Sequence, residues 1–269
     1  MKRVVMFSGG VGSWAAAKRV AAHYGTDGLV LLFADTRTED ADTYRFMREA
    51  ASNVGGQLVE IVEGRTIWEV FRDVRYLGNT QADPCSLRLK RQPLDRWLQY
   101  NCDPDDTTVY VGIDWSEIHR FDRLRDLRAA DGWTYEAPLC DPPYLTKDDL
   151  HDWATREGLK KQRLYVLGMP HANCGGGCIK MGQGGFARLL KADPCAFAEW
   201  EENEETLRAQ LGDVAILRDR RGGTTTPLTL RHLRQRIERD EPVDMFDIGG
   251  CGCFVEPPRA PQEPSTADE

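Results

Sequence analysis

Residues Ser8, Gly9, Gly10, Val11, Gly12 and Ser13 set three glycines and two hydroxyls within six positions. Residues of this kind can close backbone N–H groups and hydroxyls around an anion, so the chemistry they suit is phosphate binding. A second reactive set is the eight cysteines at 85, 102, 140, 174, 178, 195, 251 and 253. Cys174/Cys178 and Cys251/Cys253 form two tight pairs among glycines, a pattern that suits a metal or a redox thiol better than core filling. A third set is basic: Arg88, Lys90, Arg91 and Arg96 cluster, and so do Arg120, Arg123, Arg125 and Arg128. Each basic cluster is either a solvated face or a local surface for a phosphate-bearing substrate.

These groups need elements to hold them. The apolar run Val4–Phe7 ends at Ser8, and good helix formers follow Ser13, which reads as strand, tight loop and helix. The helix start adds unpaired N–H groups and the positive end of its dipole. Further along, apolar runs alternate with helical stretches. Strands are expected at 29–34, 57–62, 107–113 and 134–139, and helices at 40–52, 66–74, 86–99 (broken at Pro93) and from Thr146, as N-cap, to about 157. The run at 29–34 is almost wholly apolar, as in a strand buried on both faces. The fold class this implies is α/β, a doubly wound, mostly parallel sheet. Strand ends then carry Ser8–Ser13, Asp35-Thr36 and Gly112-Ile113-Asp114, which should meet in one cleft. Beyond about residue 168 the pattern changes to a smaller helical, cysteine-bearing unit, with helices near 182–191 and 196–211, a strand near 214–218 and a helix capped by Thr229. The expected division is 1–168, 169–255, and a disordered tail at 256–269 rich in proline and charge.

The glycine loop admits several readings. A Walker A loop fails because no Gly-Lys-Ser or Gly-Lys-Thr follows. Gly10-Val11-Gly12-Ser13-Trp14-Ala15 fits a dinucleotide fingerprint, with Asp35 at the end of the second strand, and a purely structural glycine turn is the bland alternative. The third reading is Ser-Gly-Gly-x-x-Ser. Together with Asp35-Thr36, Pro84–Leu94 and Gly112–Arg120, in that order, it resembles the PP-loop ATP pyrophosphatase (adenine nucleotide alpha hydrolase-like) superfamily, and within it the phosphoadenosine-phosphosulfate reductase branch. The resemblance covers roughly residues 1–180 and outweighs the other two readings.

The resemblance implies a set of roles. Ser8, Gly9, Gly10, Gly12 and Ser13 would hold the phosphates of ATP or a phosphosulfate, with Asp35 and Gly112 positioning the adenosine. Lys90, Arg88 and Arg120 would neutralise charge at the reacting group, and Glu117 would orient Arg120. Mg2+ would accompany ATP. Many relatives carry an aspartate where this chain has Gly12, so ATP cleavage would lean on other groups. Cys85, Cys174, Cys178 and Cys195 would be ligands of a [4Fe-4S] cluster, with zinc or no metal as alternatives, while Cys102 and Cys140 read as ordinary cysteines. Cys251 and Cys253 would be a redox pair, a sulfur relay, metal ligands or inert. His171 reads as a structural loop residue at least as well as a ligand or substrate contact.

The functions that follow are three: ATP-driven activation of an acceptor (a nucleobase, a nucleic-acid phosphate or a small metabolite) for sulfur transfer; reduction of a phosphosulfate by a C-terminal cysteine; or a non-catalytic nucleotide-binding redox sensor. The partners implied are an adenine nucleotide, the acceptor, and a protein that donates sulfur or electrons; homo-oligomerisation stays open. A net charge of −8 and a pI near 5.3 argue against a dedicated non-specific nucleic-acid binder. No stretch approaches the ~18 apolar residues of a membrane span, and the chain enters a strand without an apolar leader, so the expected location is cytoplasmic.

Overall fold

A computed structural model of the protein describes residues 1–78 and 83–250. The sheet is built from β1 (Lys2–Met6), β2 (Leu29–Asp35), β3 (Gln57–Val62), β4 (Thr107–Tyr110) and β5 (Thr134–Glu136), all parallel, in the order β3-β2-β1-β4-β5. Successive residues of a strand face opposite sides, and the core divides accordingly. Val5, Phe7, Leu29, Leu31 and Phe33 point to one face. There they pack on α1 (Val11–Tyr24), α2 (Ala41–Val54) and α7 (Lys147–Arg156). Val4, Met6, Val30 and Leu32 point to the other face, against Leu94, Leu98 and Leu124. Those three leucines come from α5 (Gln92–Asn101) and α6 (Ile118–Ala130). Fully burying one such side chain is worth about 1.5–3 kcal/mol, so the two apolar layers fix the sheet between helices.

The β1–β4 boundary is where the strand order reverses direction, and in open α/β sheets that point is where ligands bind. Helix starts are marked as expected. Asp40 accepts from the Asp42 N–H, Thr66 and Thr146 each form a reciprocal capping box, and Thr229 accepts from the His232 N–H. Three regions differ from the sequence reading. Helix α6 was not anticipated, because of its residues only Leu124 is buried and arginines interrupt any apolar stripe. Pro93 does not break a helix: it sits in the first turn of α5, where its missing N–H is harmless. The irregularity lies just before it. A π-helical turn over Leu87–Arg91, closed by Gln92 N–H to Leu87 O, follows the short α4 (Pro84–Ser86). The strand expected at 214–218 starts later, as β6 (Leu217–Asp219), and pairs antiparallel with an unanticipated β7 (Thr226–Leu228).

The C-terminal part is helical, with α8 (Arg163–Val166), α9 (Gln183–Ala192), α10 (Pro194–Leu211) and α11 (Leu230–Glu238). Phe186, Phe197 and Trp200 join Phe71 of α3 (Ile67–Asp73) and Leu89 in a third apolar cluster, which crosses the boundary expected at residue 168. Glu204 of α10 is fully buried and accepts from Ile216 N (2.8 Å) and Leu230 N (2.6 Å), tying β6 and α11 to α10. Among the described residues no helix is long and apolar enough to cross a membrane. The expected tail, 256–269, lies outside the described residues.

Candidate active site at the sheet switch point

Ser8 leaves β1, and α1 opens at Gly10, whose side of the helix has no side-chain cap. The first-turn N–H groups of such a helix have no intrahelical partner, and here the residues of that turn, Val11, Gly12 and Ser13, line a cleft. Ser13 Oγ donates to Gly10 O (2.8 Å) and lies 3.3 Å from Ser8 Oγ, so the two hydroxyls bracket the loop. Behind the loop, Gln162 Nε2 donates to Gly9 O (3.2 Å). The end of β4 comes in directly against it. A Cβ on Gly112 would lie 2.7 Å from Ser13 N and 2.8 Å from the Gly12 carbonyl carbon, and one on Gly12 would lie 3.0 Å from Gly112 O. Two chain segments therefore touch backbone to backbone, which accounts for glycine at position 12 in this chain: a side chain there would press on Gly112.

The cleft measures about 200 Å3 and is continuous, through Asp114, Glu117, Arg120, Lys147 and His171, with an outer cavity of about 530 Å3. Together they fall in the roughly 300–1,000 Å3 range of small-molecule sites. Three cations line the inner cleft: Lys90, Arg120 and Lys147. The π-helical turn directs Leu89, Lys90 and Arg91 inward. Lys90 Nζ meets Glu39 Oε1 at 3.3 Å, with both side chains almost completely buried. Glu39 also accepts from Thr36 Oγ1 (3.1 Å) and, through its other oxygen, from Cys174 N (2.6 Å). Arg120 pairs with Glu117 one turn earlier. Lys147 Nζ donates to Pro170 O (3.0 Å). His171 lines both spaces; burial, reinforced by the charge of Lys147, holds its pKa down at about 4, so the ring is neutral near pH 7.

Of the residues singled out from sequence, Ser8, Gly10, Gly12, Ser13, Lys90 and Gly112 meet around this cleft, as do Glu117 and Arg120. Gly9 stands behind it. Asp35 does not line it: its carboxylate accepts from Tyr44 OH (2.6 Å) and Arg37 N (2.8 Å), and burial together with this contact holds the Tyr44 phenol protonated. Arg88 is exposed, because the same turn that brings Lys90 in sends Leu87 and Arg88 out. Glu39 and Lys147 were not singled out as site residues. Their signals were a carboxylate just beyond Asp35-Thr36 and a lysine just after the Thr146 cap.

The expected metal set does not assemble. Among the described residues no three His, Cys, Asp or Glu side chains form a group able to hold a metal ion. Cys174 and Cys178 are buried in the third apolar cluster, with Cys85 at its edge, while Cys195 is exposed at the start of α10. Cys178 Sγ faces Lys180 N (3.5 Å), and Cys174 and Cys195 both line a cavity of about 600 Å3. Cys102 and Cys140 behave as ordinary thiols; burial raises both, Cys140 to about 11. Cys251 and Cys253 lie outside the described residues, which end at Gly250 on the wall of the outer cavity.

No family model matches the chain, and no curated protein does. Among solved structures, the chain is similar to a phosphoadenylyl-sulfate (PAPS) reductase from Candida auris, in a phosphate complex. The identity is 14%, the TM-score 0.45, and the match covers 65% of this chain and 82% of that one. It is also similar to a predicted subunit of a tRNA methyltransferase from Methanocaldococcus jannaschii, at 18% identity and a TM-score of 0.39, covering 58% of this chain and 74% of that one.

Proposed function

We propose that this chain is a PP-loop nucleotide enzyme of the phosphosulfate-reductase-like branch, and that it activates an acceptor with ATP. The observation that carries the reading is convergence: a Ser-Gly-Gly-x-x-Ser loop and three cations from three different elements meet at the switch point of a parallel sheet. The loop N–H groups, Ser8 and Ser13 hold the phosphates. Lys90, Arg120 and Lys147 neutralise the charge that develops as the α-phosphate is attacked and pyrophosphate leaves. Glu39 and Glu117 keep two of those cations in place. Mg2+ takes one or two carboxylates plus phosphate oxygens; Asp114 and Glu117 are the carboxylates at the cleft, and the ion would neutralise the departing pyrophosphate. The acceptor, a nucleobase, nucleic-acid phosphate or small metabolite, sits in the outer cavity. There Trp115, paired with the Tyr144 ring at 6.0 Å, offers a flat face.

Sulfur transfer would follow through Cys251 and Cys253, since Gly250, on the cavity wall, directly precedes them in sequence. Among the described residues Cys85, Cys174, Cys178 and Cys195 form no group able to hold a metal ion. The same cysteine position, with the Cys85–Leu94 segment, supports a second reading in which the nucleotide is itself a phosphosulfate: one thiol attacks its sulfur and displaces the nucleotide phosphate, and a second thiol, of this chain or of a reductant protein, then displaces sulfite as a disulfide forms. Incubation of the reduced protein with ATP, and separately with a phosphosulfate, tests the two. Pyrophosphate release supports activation, sulfite release supports reduction, and binding without turnover leaves a nucleotide-binding redox module.

A further inference from the structure

His171 stands where the two cavities meet, beside Lys147 and Arg120. A group passing from the outer cavity toward a nucleotide phosphate passes this ring. Its backbone is held from three directions. Pro170 O accepts from Lys147 Nζ (3.0 Å), Ala172 O from Thr43 Oγ1 (3.0 Å), and Cys174 N–H donates to Glu39 (2.6 Å). Thr43 in turn is bonded by Gln162 Nε2 (3.3 Å), the same amide that donates to Gly9 O of the glycine loop. The ring and the loop are thus referenced to one another through two buried side chains, Thr43 and Gln162, the kind of support a reacting group needs. The carboxylates at the cleft, Asp114 and Glu117, are the groups that would hold Mg2+, and each already has a partner in the chain. Asp114 accepts from the Ser116 N–H and hydroxyl, and Glu117 pairs with Arg120. The His171 Nδ1 is buried, which leaves Nε2 as the nitrogen able to meet a group in the cavity, and a backbone hydrogen bond with Asn173 favours the charged ring.

We infer that His171 is the proton acceptor of the reacting centre, for an acceptor substrate whose attacking atom carries a proton: a hydroxyl or a thiol. This rests on the ATP-activating reading. As the attacking atom X bonds the α-phosphorus, the bond from that phosphorus to the pyrophosphate oxygen breaks. The X–H proton passes to the imidazole, pyrophosphate departs, and X–AMP and an imidazolium remain. The groups facing the ring are Lys147 of α7, Lys90 of the π-helical turn and Glu39 after β2, with Arg120 and Glu117 across the cleft. In the empty cleft the lysines oppose protonation. Bound phosphates place negative charge beside those lysines, so the ring gains proton affinity only when nucleotide is present.

The test is calorimetric titration of the full chain with Mg2+ and α,β-methylene-ATP, near pH 6 where a histidine titrates, in two buffers of different ionisation enthalpy. The wild type takes up a few tenths of a proton more per bound analogue than H171N and H171Q, which bind within about threefold of it. The variants also lose pyrophosphate release from ATP by about 10²–10⁴-fold, and with it the acid limb of the kcat/KM profile. Binding by the wild type with no proton uptake beyond that of the variants overturns the role of His171. Failure of the wild type to bind the analogue overturns the nucleotide reading itself. H171Q provides a check on H171N, and the wild-type measurement depends on neither.

Discussion

Two glycine-rich loops of almost equal length do opposite work. Ser8–Ser13 opens toward a cleft: Ser8, Gly10, Gly12 and Ser13 line the space, and the loop is in close contact with the backbone of Gly112. Asn173–Gly177 lines the cleft only through Asn173, and its glycines pack on the core. Cys174 and Gly175 adopt left-handed backbone (φ 53° and 64°), and a Cβ on Gly177 would lie 2.3 Å from the Trp200 indole. The first loop is a cradle and the second a brace, linked by Glu39, which grips Lys90 of the cleft with one oxygen and the Cys174 N–H with the other. Glycine content alone does not make a ligand site; what the N–H groups and the missing Cβ atoms face decides it.

The comparison can be broken at its link first. K90A leaves Glu39 as a buried carboxylate without its cation, and should cost about 3–5 kcal/mol of stability as well as nucleotide affinity, both read by denaturant melts with and without nucleotide analogue. A smaller loss, below about 1 kcal/mol, would mean that Thr36 and the Cys174 N–H satisfy Glu39 unaided. G112A pushes a methyl group into the backbone at Ser13, so analogue affinity should fall by about 10–100-fold, in line with overpacking costs of about 1–3 kcal/mol. Unchanged affinity there would remove the cradle assignment. G177A drives a methyl group into Trp200 and should lower stability by about 1–3 kcal/mol while leaving affinity for the analogue untouched in the protein that stays folded. A binding defect without destabilisation would make the second loop part of the site. S13A removes one hydroxyl bracket, and its expected cost is about 1 kcal/mol in analogue affinity, roughly fivefold.

The C-terminal core carries its own pH signature. Burial raises the Glu204 pKa to about 7, despite two N–H donors that favour its charged form. The folded chain then keeps a proton that the unfolded chain releases. The associated stability is fully present below the unfolded carboxyl value of 4.5 and is lost as pH rises through about 7. E204Q should flatten that slope in melts recorded from acid to neutral pH, and should cost about 1–3 kcal/mol, because an amide nitrogen would confront one of the two N–H groups. A slope unchanged in E204Q would assign it to other groups.

Much of this was legible in the residues themselves. The strands read at 29–34 and 57–62, the caps Thr146 and Thr229, and the glycine loop at Ser8–Ser13 follow from periods and turn chemistry that act over a few residues. Local backbone physics sets them, and a short stretch contains all the information they need. Asp35 shows the limit. A strand-end aspartate in the expected place gives no sign that Tyr44, nine residues on, takes its oxygen. Lys90 turns in and Arg88 turns out because of a π-helical turn that no apolar period announces. The Glu39 link and the back-to-back glycines 12 and 112 join residues up to 135 positions apart in sequence. By itself the sequence determined a parallel α/β chain with an anion cradle at the end of its first strand. Tertiary packing decided which charges meet that cradle, because long-range contacts are set by how the layers close and not by any local pattern.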